Sequence, residues 1–215
     1  DPLAASHVPI SAALDMIRAA NLLGTRDAAF VTALARWLVD DRVQAHLALD
    51  HVATATHQLV QLGYGDCMRS DSEAWESEVV GTAVADWLDA AARHVSRALL
   101  STATSSSSPS SSSPSSSSSS SSSAPSSPSS LSSASPGSEP FALRFGALAT
   151  WSLVISGADR PSTGEAVRAL WTALPHLWDG RADSIHGRTL MQLRHIDLSL
   201  RARLLSSIDP TPSSS

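Results

Sequence analysis

Apolar residues recur every three to four positions through most of the chain, and no stretch alternates apolar and polar residues as a half-buried strand would. The first periodic segment runs from Ile10 to Leu23, with Leu14, Ile17 and the Leu22–Leu23 pair on its apolar side and Gly24 as its stop. Thr25 or Asp27 can cap a second helix that carries Phe30, Leu34, Trp37 and Leu38. A third is expected from about Arg42 to Leu62, ended by Gly63. Ser70 and Glu73 have capping-box spacing and open a long fourth helix, striped by Trp75, Val79, Val80, Val84, Trp87, Leu88, Val95 and Leu99. Glu73, Glu76 and Glu78 lie near its start and Arg93 and Arg97 near its end, as the helix dipole favours. A fifth helix is expected over Glu139 to Ser156, ending at Gly157. Ser162 and Glu165 form a second capping box and open a sixth through Val167, Leu170, Trp171 and Leu174, broken near Pro175. Ser184 can cap a seventh that carries Leu190, Leu193, Ile196, Leu200 and Leu204. The expected fold is all-α: a helical-hairpin array of about seven helices, α-solenoid-like, its last hairpin incomplete.

One interruption divides this pattern. Residues 101–138 contain 26 serines, with Pro109, Pro114, Pro125 and Pro128 scattered among them. Such a composition cannot bury enough apolar surface to offset its ordering entropy, so a disordered insertion or linker is expected. The organisation is therefore N-terminal helical repeats over 1–100, the Ser/Pro low-complexity segment over 101–138, and C-terminal helical repeats with a polar tail over 139–215. Over all 215 residues, 42% hydrophobic content and a mean hydropathy near zero suit globular material.

Composition removes several chemistries. All 15 basic residues are arginine, which excludes a lysine-bearing phosphate loop, a lysine Schiff base and a lysine general base. The single cysteine, Cys67, excludes a disulfide framework within the chain and any four-cysteine metal site. The longest mostly apolar run, Phe145 to Ala158, is too short for a bilayer span and contains Thr150, Ser152 and Ser156, so no membrane partner is expected. His46, Asp50 and His57 share one face of the expected third helix, yet His46 and His57 would sit about 16 Å apart along it, too far for one ion. Gly63-Tyr64-Gly65 begins like a dinucleotide loop but has Met68 at the third glycine position and a helix before it. No metalloprotease, nucleophile-elbow or paired-carboxylate motif occurs. The expected protein has no catalytic residues, no metal and no cofactor. The six tryptophans are expected mainly in the core, with Trp178, near a helix break, the one candidate for base stacking.

The helix ends repeat. Gly24 and Gly63 each close an apolar helix and lie 39 residues apart. Val52 to Gly63 also superimposes on Gly146 to Gly157 with six of twelve positions identical, which places His57 opposite Trp151. Paired helices at a period near 40 indicate an α-solenoid. The segments Leu148-Ala-Thr-Trp151-Ser-Leu153 to Gly157, Ala169-Leu-Trp171-Thr-Ala-Leu174 and Leu190-Met-Gln-Leu193-Arg-His195-Ile-Asp-Leu198-Ser-Leu200 resemble the helical region of organellar RAP-domain proteins, the octotricopeptide-like and FAST-kinase-like proteins. Ala55 to Tyr64 is similar to the second helix of another such repeat, with His57 where tryptophan is usual. The chain ends in serines at Ser215 without the RAP domain itself, so no chemistry of that domain is carried over.

The resemblance implies organellar RNA work: transcript processing or stabilisation, or a place in a ribosome of the mitochondrion or another organelle. Charge decides which half would touch RNA. Residues 1–100 hold 7 arginines against 13 acids, whereas residues 101–215 hold 8 against 7. The acidic first half is expected to face other proteins of the complex. In the second half Arg181, Arg188, Arg194, His195, Arg201 and Arg203 fall close together, opposed only by Asp183 and Asp197. The expected RNA-binding residues, with rRNA as the expected partner, are Arg188, Arg194, His195, Arg201 and Arg203. A protein–protein scaffold without nucleic acid is the competing expectation, in which these arginines form a solvated helix surface.

Overall fold

The computed structural model describes residues 8–24, 27–64, 78–106, 139–156, 160–178 and 184–208. Eight α-helices follow the chain: α1 (Ile10–Leu23), α2 (Ala28–Val39), α3 (Asp41–Gln44), α4 (Leu49–Leu59), α5 (Glu78–Ser106), α6 (Phe141–Ile155), α7 (Pro161–Leu177) and α8 (Gly187–Ile208). A π-helical turn, Val60–Tyr64, continues α4. The all-α expectation holds, with no strand among the described residues. The expected Ser70–Glu73 capping box, Trp75, Cys67, Gly157, Arg181 and residues 107–138 of the serine-rich segment lie outside the described residues.

Local chemistry sets most of the helix ends. Gly24 closes α1 in the left-handed region, φ 62°, where a side chain would be strained, and its N–H reaches the carbonyls of Ala20 and Asn21. Asp27 caps α2, its carboxylate accepting from the N–H groups of Ala29 at 2.9 Å and Phe30 at 3.1 Å.

Four expectations about the helices are corrected. The third helix is not continuous from Arg42 to Leu62: α3 is a single turn, and residues 45–48 separate it from α4. Asp40 caps that turn through the Arg42 N–H at 2.8 Å, and the Gln44 amide donates to the Leu38 carbonyl at 2.6 Å, so the turn has its own anchors. The α4 start is tied from within, with the Ala48 N–H donating to His51 Nδ1. Ser162 closes no capping box, because Arg160 occupies the N-cap, Pro161 follows it, and the Ser162 hydroxyl donates to Asp89. Nor does Pro175 break its helix. It sits on the exposed side of the last turn, and α7 continues to Leu177. Ser184 also lies short of the α8 N-terminus, where His186 is the capping residue through its ring Nδ1, which accepts from the Arg188 N–H.

The helices pack in two rows. One is α2–α5–α7 and the other α1–α4–α6–α8, with α5 bridging to α4 and α6, and α6 to α7. Apart from the short α3, the chain therefore alternates between rows at every connection. One apolar core runs through both, from Ala13 in α1 to Ile196 in α8, and residues on either side of the serine-rich segment share it. Trp87 of α5 is its largest fully buried side chain. At the α5–α6 contact Gly146 allows close approach: a Cβ there would lie 2.7 Å from Leu99 Cδ2, so the Leu99 side chain would have to move. The α5–α7 contact, in contrast, is polar at its edge. Arg160 pairs with Asp89 at 2.9 Å and donates to the Ala85 carbonyl at 2.6 Å, while Ser162 binds the other Asp89 oxygen.

Candidate functional site

Three successive helices of the longer row place aromatic and imidazole rings side by side. His57 projects from α4, Trp151 from α6 and His195 from α8. The His57 and Trp151 ring centroids are 5.7 Å apart, tilted by 45°. Those of Trp151 and His195 are 6.1 Å apart, tilted by 53°. The Trp151 indole N–H donates to His195 Nδ1 at 2.8 Å, which holds His195 as the tautomer with its proton on Nε2. Ser152 donates to the Leu148 carbonyl and turns its oxygen toward His57 Nδ1, 3.5 Å away. The superposition of Val52–Gly63 on Gly146–Gly157 equates His57 with Trp151, and in the fold these two positions meet on adjacent helices.

Burial, and secondarily the Arg188 guanidinium, holds the His57 pKa below the usual imidazole value of 6.5. His94 in α5 is lowered in the same direction, by burial first and by Arg97 second. Both rings are thus neutral in the fold at pH values where the unfolded chain would bind a proton, so the unfolded state takes up more protons as the pH falls below about 6.5. Stability should be full above that pH and decline below it. Thermal unfolding at pH 7.5, 6.5 and 5.5 is expected to show a falling midpoint in the wild type and a flatter profile in a His57→Gln/His94→Gln variant.

Continuing along the row, an open groove of about 440 Å³ lies between α1 and α4, lined by Arg18, Asn21, Leu22, Gln58 and Gln61. The Asn21 amide crosses it to the Gln58 carbonyl at 2.8 Å and to the Gln58 side-chain oxygen. From groove to α8 the row therefore presents amides, rings and guanidinium groups in sequence.

The five expected RNA-binding residues are all exposed on α8, but they do not form one cluster. At about 100° per residue, Arg188, His195 and Arg203 fall within about 80° of one another. Arg194 and Arg201 share a second direction, about 150° from the first. Within the first set, His195 meets Trp151 and Arg188 lies near enough to His57 to act on its charge. In the second, Arg201 is engaged by Asp197 at 2.9 Å across one helical turn, an exposed pair of small energetic weight. Trp178 is the half-buried residue ending α7 and packs against the core, as do Trp37, Trp151 and Trp171.

His46 lies in the turn between α3 and α4, so it shares no helix face with Asp50 and His57, and the arrangement considered for a metal does not form. Among the described residues no three His, Cys, Asp or Glu side chains are grouped to hold a metal ion, and no helix is long and apolar enough to cross a membrane. Sequence reasoning assigns His57 and Trp151 no joint role and passes over Asn21, Gln58 and Gln61. The internal superposition is the one signal for the first pair, and the amides carry none. Comparison with protein-family models, curated proteins and solved structures finds no match to this chain.

Proposed function

We propose that the chain is a non-enzymatic helical-repeat component of an organellar ribonucleoprotein, in the mitochondrial ribosome, where its C-terminal half contacts rRNA and its acidic N-terminal half contacts neighbouring proteins. The α-solenoid reading draws on the alternation of successive helices between two rows, and the organellar setting on the resemblance to RAP-domain proteins. The observation that carries RNA contact is α8 itself, which exposes Arg188, His195 and Arg203 on one face, where His195 meets Trp151, and Arg194 and Arg201 on a second. Arginine suits phosphate because its planar fork bonds two oxygens and stays charged. Trp151 offers a ring for base stacking, and His195 Nε2 is the donor for a sugar or base.

Each phosphate contact releases counterions, so salt dependence counts contacts. Replacing Arg188 and Arg203 with alanine is expected to weaken binding to an rRNA fragment and to flatten the log–log salt dependence by up to about 1.4 units, at about 0.7 per single-strand contact. The same treatment of Arg194 and Arg201 reads the second face of α8. Arg36 and Arg42, in the acidic half, are the control pair. Unchanged affinity and slope in both α8 variants would end the RNA assignment. A protein–protein scaffold is the second reading, and the excess of 13 acids over 7 arginines in residues 1–100 favours it.

A further inference from the structure

α8 is not the only helix of the longer row with an exposed, unpaired arginine. Arg144 of α6 has its guanidinium 5.3 Å from the Phe145 ring centroid and makes no ion pair among the described residues. Two contacts fix how α6 and α8 lie against each other. Just before the two helices, the Glu139 carboxylate accepts the His186 N–H at 3.3 Å, and further along both, Trp151 bonds His195. The helices therefore run parallel, with 44 residues separating the partners Trp151 and His195. Arg144 and Arg188 have the same offset. Each lies two turns before Trp151 or His195 and within about 20° of it around its helix. Two guanidinium groups thus stand at one level on adjacent helices, whose axes are about 8–10 Å apart.

Neither charge is neutralised. Arg188 also makes no ion pair among the described residues, and its charge reaches as far as His57 on α4. Asp50 holds the matching position on α4, two turns before His57, but one of its carboxylate oxygens is buried and it pairs with neither arginine. Glu139 is engaged by the His186 N–H. Two like charges side by side repel, and an anion between them removes that cost. Rings flank the pair along the outer strip of α6. Phe141, 56% exposed, lies one turn before Arg144 and Trp151 two turns after it, all three within about 80°. Cations between rings suit a single strand of nucleic acid, whose phosphates need charge and whose bases need flat apolar faces. An acidic peptide would use the arginines and leave the rings idle. The inference rests on the reading that α8 contacts RNA and extends it to a second helix: we propose that Arg144 and Arg188 form a phosphate clamp for single-stranded RNA. The backbone of the strand crosses α6 and α8 at the level of the two arginines, and a base lies on Trp151.

Fluorescence anisotropy of the full chain with a labelled single-stranded oligouridylate, read across a range of salt concentrations, tests this. Arg144→Ala is expected to weaken binding and to flatten the log–log salt dependence by about 0.7, the share of one single-strand phosphate contact. Arg144→Lys keeps the charge and should keep the slope, with a smaller loss of affinity because the planar fork is gone. Arg168→Ala, on the exposed side of α7 in the other row, should change neither. Arg144 is exposed, and an unchanged circular dichroism spectrum and thermal midpoint identify a variant that still folds. A wild-type affinity and slope in Arg144→Ala would overturn the clamp. If Arg188→Ala still flattened the slope in that case, RNA contact through α8 would stand without α6. An equal loss in Arg168→Ala would also overturn the clamp, because the arginines would then act only through overall charge. So would a chain that binds polyglutamate but not oligouridylate and loses it in Arg144→Ala, which would assign the pair to an acidic protein partner.

Discussion

Trp87→Ala is expected to remove about 3–5 kcal/mol of folding stability, a large share of the about 5–15 kcal/mol of an ordinary domain. Trp87 is fully buried in α5, the helix that touches both rows, and it belongs to the one core shared by the segments before and after residue 107. Truncation would leave a cavity where α5 has neighbours on several sides, so collapse onto the gap would require more than one helix to shift. Its indole N–H has no hydrogen-bond partner among the described residues. The stabilisation therefore comes from packed area and not from a polar contact, and Trp87→Phe should be markedly milder than Trp87→Ala. Chemical denaturation with urea separates the two: the midpoint should fall steeply for alanine and modestly for phenylalanine. Equal losses would assign the stabilisation to the indole nitrogen instead.

Asp89→Ala is the second large effect, expected at about 2–3 kcal/mol. The carboxylate receives Arg160 on one oxygen and Ser162 on the other, so it ties the first turn of α7 to the middle of α5. Arg160 retains 18% side-chain exposure and Asp89 35%, which places the pair between a solvent-screened and a buried one and sets the expected loss below that for full burial. The asymmetry matters more than the pair. Without Asp89 the Ala85 carbonyl is the acceptor left to the Arg160 guanidinium among the described residues. Asp89→Asn retains an acceptor for Ser162 and should recover part of the loss. Replacing Arg160 as well should cost less than the sum of the single changes, because each removes the same contact. Urea midpoints of the single and double variants measure this directly.

Helix ends set by neighbours in the chain were legible in the sequence, and ends set by distant residues were not. Gly24 and Asp27 act within one turn of themselves, so the bounds of α1 and α2 follow from local rules. The division of the third helix depends on Asp40 and on a side-chain bond from Gln44 back to Leu38, in a stretch whose apolar spacing alone reads as continuous. Ser162 satisfies the spacing of a capping box, but Asp89, 73 residues away, takes its hydroxyl. Pattern carries no information about such a competitor.

The candidate site divides in the same way. Superimposing Val52–Gly63 on Gly146–Gly157 equates His57 with Trp151 on residue identities alone, and in the fold the two rings lie 5.7 Å apart on the adjacent helices α4 and α6. His195 joins them through a hydrogen bond from an indole 44 residues away, with no local sign of it. The arginines of α8 read as one basic cluster along the sequence, whereas helical rotation separates them into two faces. One of these borders the ring row, and the other borders Met191 and Leu198.

RNA contact through α8 is the central claim, and ultraviolet crosslinking of the native complex followed by peptide mapping tests it most directly. The expected result is that rRNA copurifies with the chain and that nucleotide adducts concentrate on peptides covering residues 188–203 and Trp151. Adduct-free α8 and α6 peptides in a complex that contains the intact chain would contradict it, and would leave a helical scaffold whose partners are proteins.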